Sequence, residues 1–444
     1  MQLNINKLKL IKTHLPAGSL RARMASGTFW TLVGSVIAQG AGVLGSIFSA
    51  RILGKVGFGE LGMIRSTVLM FGVLAGTGLG MAATKYVSEF RVKDPIKAGR
   101  MIGLFINTAF ILGGIVTLIC LILATPLAKL AMNAPNLAGA LKVGCLLLLL
   151  NTLNGVQLGA VCGFEAFRTL SQVVVLDGIF SLVLIPAGAF FYGVTGAVGG
   201  SVMAALLGFI VKQWAMNKEC KRASIRVLYR NISAELPALW KFVLPAVLVG
   251  LGLQPFEWLS RLMLVRQPNG YAELGVFTAV FAWAQLIVFL PGQISSTIMP
   301  ILSNSLADCQ ITQLRKVVVS SQLLVFAIAV ITAVPLALLT PYILRAYGSD
   351  FLSGRFTLLT MIGAYVVCVA ALITRSFFAA SNRMWWQTIH TILWGILLVI
   401  GCKFLIHLGG LGLAFSYLGA YIIFTALQFG TQAVVMNKLS KEMY

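Results

Sequence analysis

Few ionisable side chains in this 444-residue chain fall inside its apolar runs, and those few bound the chemistry open to it. Arg65 lies about one helical turn inside a long apolar stretch, and Lys142 and Arg375 are similarly shallow. A cation so placed either binds an anion such as a diphosphate or snorkels to the interface. Asp177 is the deepest acid, roughly 12 Å from the start of its expected helix at 1.5 Å per residue. A carboxylate at that depth needs a cation, water or a proton. It is therefore a candidate for coupling to a proton or sodium gradient, or else half of a structural ion pair. Glu257, the second candidate for ion coupling, stands one helical turn before Arg261 on the same face, where the two can neutralise each other. Asn151, Asn154 and Gln157 recur at every third residue. Such a strip suits sugar hydroxyls, or hydrogen bonds to a neighbouring helix.

Other chemistries find no footing. His14, His390 and His407 show no ligand spacing, and Cys120, Cys145, Cys162, Cys220, Cys309, Cys368 and Cys402 are scattered. No Ser/His/Asp arrangement is present, and Gly72, Gly76, Gly78 and Gly80 lack the lysine of a phosphate-cradling loop. The expectation is a protein that is not an enzyme and uses no cofactor and no metal. Its energy comes from an ion gradient or from the substrate gradient.

The elements that must position these residues follow from composition. Hydrophobic residues make up 59% of the chain and charged residues 10%, with a mean hydropathy of +0.93. Apolar runs long enough to cross a hydrocarbon core of about 30 Å recur throughout. Their lack of alternation excludes a barrel, which leaves helices. Spans are expected near 27–50, 61–83, 100–124, 137–161, 169–191 and 194–216, then 238–262, 274–302, 317–340, 356–379, 385–406 and 411–436. The expected fold is an all-α polytopic membrane protein, with 12 transmembrane helices in two parallel six-helix lobes around a central cavity. Its parts are an amphipathic segment (1–25), an N-lobe (26–216), a basic linker (217–236), a C-lobe (237–436) and a tail (437–444). Pro245 and Pro255 interrupt the seventh span, which is expected to bend near Gly250–Pro255. Gly34, Ala38 and Gly42 form a small-residue row that admits a close neighbour.

The formal charge of +22 does not signal nucleic acid, because the basic residues sit between spans rather than along one soluble face. Anionic lipids and topology account for it. Most lysines and arginines collect on the side that carries the N-terminus, the linker and the C-terminus, which places both termini in the cytoplasm.

A degenerate duplication organises the chain. ARILGKVGFGELG (50–62) returns as SRLMLVRQPNGYAELG (260–275), aligning Arg51 with Arg261 and Glu60 with Glu273. Arg168 and Arg383, like Gln172 and Gln387, are 215 apart, and Gly193 and Gly196 meet Gly409 and Gly412 at 216. Parallel repeats of this kind enclose a cavity used for alternating access.

The first hairpin also carries a family resemblance. ARILGKVGFGELG, then Thr77-Gly78-Leu79-Gly80, Ala83 and Lys85-Tyr86-Val87-Ser88, resembles the opening of the polysaccharide-transporter family. These are O-antigen and related lipid-linked oligosaccharide flippases of the multidrug/oligosaccharidyl-lipid/polysaccharide exporter superfamily. The resemblance implies translocation of undecaprenyl-diphosphate-linked oligosaccharide repeat units across the bacterial inner membrane. It implies a cationic lumen, coupling to H+ or Na+, and polysaccharide polymerase and chain-length proteins as partners. Arg65, Arg375 and Lys142 then stand for the diphosphate, and Asn151, Asn154 and Gln157 for the sugar. A multidrug/toxin cation antiporter shares the architecture but favours an acidic cavity. A membrane-embedded polymerase or glycosyltransferase favours acids or a sizeable loop at the outer face, where only Glu60, Glu273 and Asp350 occur. A structural scaffold would have a closed, dry interior.

Overall fold

A computed structural model describes residues 20–76, 78–229, 235–237, 239, 243, 247, 250–307, 311–381 and 383–443. Most of the expected amphipathic segment, Pro245 and much of the first half of the seventh span lie outside these residues. The rest is helical, since only internally bonded backbone is tolerated in hydrocarbon.

The N-terminal half contains α1 (Leu20–Leu74), α2 (Leu79–Lys93), α3 (Pro95–Pro126), α4 (Ala138–Gly163) and α5 (Phe167–Arg222). The C-terminal half contains α6 (Gln254–Val265), α7 (Gly270–Ala307), α8 (Ile311–Leu338), α9 (Thr340–Tyr347), α10 (Arg355–Ala370), α11 (Leu372–Ala380), α12 (Met384–Leu405) and α13 (Gly410–Met443). Among the described residues, nine helical stretches are long and apolar enough to cross a membrane. Two of them, α1 and α5, are each two spans joined by a glycine in the left-handed region, Gly54 (φ 66°) and Gly193 (φ 56°). With the seventh span, of which α6 is the second half, this makes the twelve helices and two lobes expected. The helix α5 runs six residues beyond the expected end of the N-lobe, to Arg222.

Local signals set the breaks. Asp94 accepts a hydrogen bond from the Lys97 amide ahead of Pro95, which starts α3 where its missing N–H costs nothing. The second span is interrupted at Gly76 (φ 104°) and resumes as α2. The seventh is interrupted as expected, with a turn at Gly252–Leu253 before α6. Phe110, Ile111, Ile115, Leu118 and Ile122 of α3 stay exposed, a continuous apolar face that suits lipid.

The duplication is visible in the backbone. Gly193 and Gly409 make the same left-handed break, with φ 56° and ψ −139° in one and φ 64° and ψ −139° in the other. Each joins the last two spans of its lobe.

The side bearing these breaks, opposite the chain's ends, is sealed by a seam between lobes that obeys the same repeat. Arg51 Nε donates to the Ala346 carbonyl at 2.6 Å, and Arg266 Nε donates to the Ala131 carbonyl at 2.9 Å. Donors and acceptors are both 215 residues apart, so the structural partner of Arg51 is Arg266. The sequence alignments of Arg51 with Arg261 and of Glu60 with Glu273 are thereby corrected: the first is five residues short of the structural register, and the second, at 213, is two or three short. Between the arginines, α1 and α7 cross backbone to backbone. A Cβ on Gly59 would stand 1.9 Å from the Tyr271 carbonyl oxygen, and one on Gly275 would stand 1.9 Å from that of Lys55. Only glycine permits that approach from both helices. One apolar core runs through this seam, joining Phe58 and Leu61 to Leu274 and Phe277; of the two smaller clusters nearer the chain's ends, one belongs to the N-lobe and the other sets Val243 of the seventh span against Leu79, Phe105 and Val156.

Leucine at position 59 or 275 is expected to force the seam apart. Gly59→Leu and Gly275→Leu should each speed maleimide labelling of a Ser46→Cys reporter in a background without native cysteines. Ser46 lies in the seam, 2.8 Å from the Tyr347 hydroxyl, and unchanged labelling in both variants would contradict the closure described.

Candidate functional site

The N-lobe encloses a cavity of about 470 Å³ between the second arm of α1, α4 and both arms of α5. Arg65, Asn151, Asn154, Asp177, Ser201 and Lys212 supply most of its polar lining. Three of the residues singled out for substrate and one singled out for ions therefore meet in one place.

Lys212, near the basic end of the N-lobe, is buried. Its Nζ lies 2.5 Å from Asp177 Oδ2, with the lysine side chain 6% and the aspartate 33% exposed. The two arms of α5 fold back at Gly193, which brings residues thirty-five apart in sequence onto facing helices. Asp177 thus has the cation that its depth requires. Its charge and that of Lys212 cancel, and Arg65 remains without a carboxylate partner among the described residues.

The amides divide. Asn151 is exposed along the cavity wall, and Asn154 lines it while donating from Nδ2 to the Ala205 carbonyl at 3.0 Å. The Asn154 Oδ1 is buried without a hydrogen-bond partner among the described residues. Gln157, by contrast, is 1% exposed and donates to Gln213 Oε1 at 2.7 Å, and Gln213 continues to Asn217 at 3.0 Å. Gln157 belongs to a bridge between α4 and α5 and does not line the cavity.

Lys142 and Arg375 are not brought to Arg65. Both are exposed, Lys142 near the start of α4 and Arg375 on α11, and neither lines this cavity.

Glu257 sits in the other lobe. Its Oε2 is 3.5 Å from Arg261 Nη2, with both side chains little exposed. The Arg261 guanidinium lies 4.8 Å from the Phe281 ring centre, a cation–π contact. Phe281 in turn packs edge-on against Tyr365 and Tyr417, and Tyr417 against Trp394. Positions 215 residues beyond Arg65, Asp177 and Lys212 are Val280, Ile392 and Leu427. The charged residues of the N-lobe cavity thus have apolar residues at the related positions of the other lobe, whose buried pair Glu257–Arg261 lies elsewhere, so the duplicated halves have diverged.

Sequence reasoning missed Lys212 and the glutamine bridges. The latter had a signal: Gln213 and Gln428, and Asn217 and Gln432, share the spacing of 215. Gln428 donates to Gln387 at 2.7 Å, and Gln432 accepts from Thr374 at 2.5 Å, so the C-lobe has bridges of its own at these positions.

The fold is that of the MATE family transporters. The structure superposes on an inward-facing multidrug resistance MATE family transporter of the MOP superfamily with a TM-score of 0.77, at 17% identity, covering 93% of this chain and 99% of that one. A MOP superfamily transporter from Pyrococcus furiosus, described by the reverse polarity of its binding pocket, superposes with a TM-score of 0.71 at 16% identity, over 94% and 96% of the two chains. A family model described as polysaccharide biosynthesis protein matches residues 24–306, and the chain belongs to that family. Among its relatives is the lipid III flippase of Escherichia coli, 25% identical over 419 residues, 91% of this chain and 97% of the relative. The EPS I polysaccharide export inner membrane protein EpsE of Ralstonia nicotianae is 21% identical over 412 residues, 90% and 91% of the two.

Removing one partner of a buried ion pair leaves the other uncompensated, at a cost of about 3–5 kcal/mol when both are fully buried. Because Asp177 is a third exposed, Asp177→Ala is expected to cost about 1–3 kcal/mol, and Asp177→Ala with Lys212→Met should recover most of it. Thermal unfolding of the four proteins in detergent measures this, and additive effects would show that the pair contributes nothing.

Proposed function

We propose that this protein is a flippase for undecaprenyl-diphosphate-linked oligosaccharide repeat units, precursors of an O-antigen-like polysaccharide, in the bacterial inner membrane. The observation that carries the reading is the charge of the N-lobe cavity. With Asp177 satisfied by Lys212, Arg65 is its free charge among the described residues. An unassisted diphosphate and each unpaired hydroxyl face large desolvation costs in hydrocarbon, about 2–7 kcal/mol per hydroxyl. Arg65 answers the first need, and the exposed Asn151 amide on the cavity wall answers the second. The lipid tail remains in the bilayer. A cation antiporter on the same architecture would be repelled by this cavity, and the relatives that export polysaccharide precursors support the anionic cargo.

The transport cycle in this reading is alternating access. The termini face the cytoplasm, and the seam held by Arg51, Arg266, Gly59 and Gly275 is the periplasmic gate, closed while the substrate enters from the inside. Its pseudo-twofold design lets the lobes rock apart about one axis by releasing a matched set of contacts. Arg375 and Lys142, exposed outside this cavity, serve as lesser phosphate contacts along the route. Of the two carboxylates, Asp177 is the one open to a coupling H+ or Na+, because it lines the cavity while Glu257 is buried beside Arg261. Partner polymerase and chain-length proteins would act on the delivered units at the periplasmic face.

Deletion of the gene should leave completed repeat units on their lipid carrier in the cytoplasmic leaflet and remove surface polysaccharide. Undisturbed surface polysaccharide would refute the assignment. In proteoliposomes, Asp177→Asn is expected to abolish the dependence of transport on an imposed ion gradient; a variant still driven by the gradient would remove Asp177 from the coupling step.

A further inference from the structure

A second pocket, larger than the first, lies in the N-lobe at the end that carries the chain's termini. It encloses about 800 Å³ between the start of α1, the end of α2, the turn from α4 to α5, and the end of α5. Its charged lining consists of Arg91, Arg168, Lys218 and Arg222 against Glu165 and Glu219. Neither residue of the Asp177–Lys212 pair nor Arg65 reaches it, so it is separate from the cavity assigned to the cargo.

The partnering within the pocket is uneven. Arg91 is bound to the Glu165 carboxylate at 2.5 Å and also donates to the Phe164 carbonyl, which ties the end of α2 to the α4–α5 turn. Glu219, 7% exposed, accepts from the Thr169 hydroxyl and from Arg222, each at 3.0 Å. Both carboxylates are thus committed to protein donors. Arg168 and Lys218 have no carboxylate partner among the described residues. Each lies beside an indole instead: the Arg168 guanidinium is 5.6 Å from the Trp30 ring centre, and Lys218 Nζ is 4.8 Å from that of Trp214. The pocket carries two cations in excess, held apart by a frame of satisfied ion pairs.

The chemistry that fits is a phosphate group. Two uncommitted cations in a polar pocket match a phosphodiester or a pair of them, and Arg91 and Arg222 can lend further N–H donors from the rim. The location favours a lipid as the bearer. Trp30 and the exposed Trp214 stand near the ends of the expected spans 27–50 and 194–216, where indoles settle at the headgroup level. Basic pockets between membrane helices at this level take anionic headgroups. We infer that this pocket binds the phosphate headgroup of an anionic phospholipid, of the phosphatidylglycerol or cardiolipin class, as a resident lipid distinct from the transported one. The lipid would bridge the ends of α1, α2 and α5 in the N-lobe. The inference does not depend on which molecule the protein carries.

Native mass spectrometry of the full chain, delipidated in detergent and titrated with phosphatidylglycerol or phosphatidylcholine, tests it without transport. Wild type should retain phosphatidylglycerol in preference to phosphatidylcholine. Arg168→Gln with Lys218→Gln should weaken that retention on the order of tenfold or more, and Arg168→Lys with Lys218→Arg should keep most of it. The single Gln variants, each expected to give a partial loss, stand in if the double variant does not fold. Equal retention by wild type and the Gln variants, or no preference for phosphatidylglycerol, overturns the inference. Displacement of the lipid by millimolar inorganic phosphate or glycerol phosphate would assign the pocket to a soluble phosphate compound and overturn the lipid assignment. A pocket filled by the cargo alone would show as retention of undecaprenyl diphosphate but not of phosphatidylglycerol.

Discussion

A charge held away from water must find a counter-charge, a hydrogen-bonding partner or a ligand, and this demand shapes the interior of the N-lobe. Asp177 and Lys212 meet it for each other across the fold at Gly193. Arg65 has no such partner in the same cavity, and the Asn154 oxygen has no donor. An interior that satisfies most of its charged groups and leaves one cation beside the exposed Asn151 amide is shaped for an anion with hydroxyls. The other lobe, with Val280, Ile392 and Leu427 at the related positions, is not.

The second constraint is symmetry. Two copies of one six-helix unit meet along a seam where the arginine–carbonyl bonds and the glycine crossing have mates 215 or 216 residues away: Arg51 with Arg266, Ala131 with Ala346, Gly59 with Gly275. Such a contact set forms and breaks as a unit, because distortion on one side is matched on the other. The two glycines bring α1 and α7 within backbone contact, so closure relies on packing and a few charge-assisted bonds rather than on long side chains. The paired arginines cap both ends of that crossing.

How much of this was legible in the sequence depended on the kind of signal. Span number and fold class follow from apolar length alone, and the left-handed breaks at Gly193 and Gly409 announced themselves by their spacing. The hairpin alignment failed because the second hairpin offers both Arg261 and Arg266 near a helix end, and a recurring Glu-Leu-Gly three residues out of register gave no means of choosing between them. Arg65, Asn154 and Asp177 were found because polar residues in apolar runs are conspicuous. Their convergence was not legible, since it depends on how α1, α4 and α5 rotate. Lys212 was missed for a related reason: it sits near a run of basic residues, and only the fold-back of α5 separates it from them. Gln157 illustrates the converse, a residue on the right strip but turned toward Gln213 instead of the cavity.

The central claim is that Arg65 holds the diphosphate of the cargo in the N-lobe cavity. Binding of undecaprenyl diphosphate to purified wild type, Arg65→Lys and Arg65→Gln tests it most directly. Affinity should fall on the order of tenfold or more in Arg65→Gln, the loss of a charge-assisted contact of about 1.5–3 kcal/mol, and only partly in Arg65→Lys. Equal affinity in all three proteins, with the fold intact, would contradict the account.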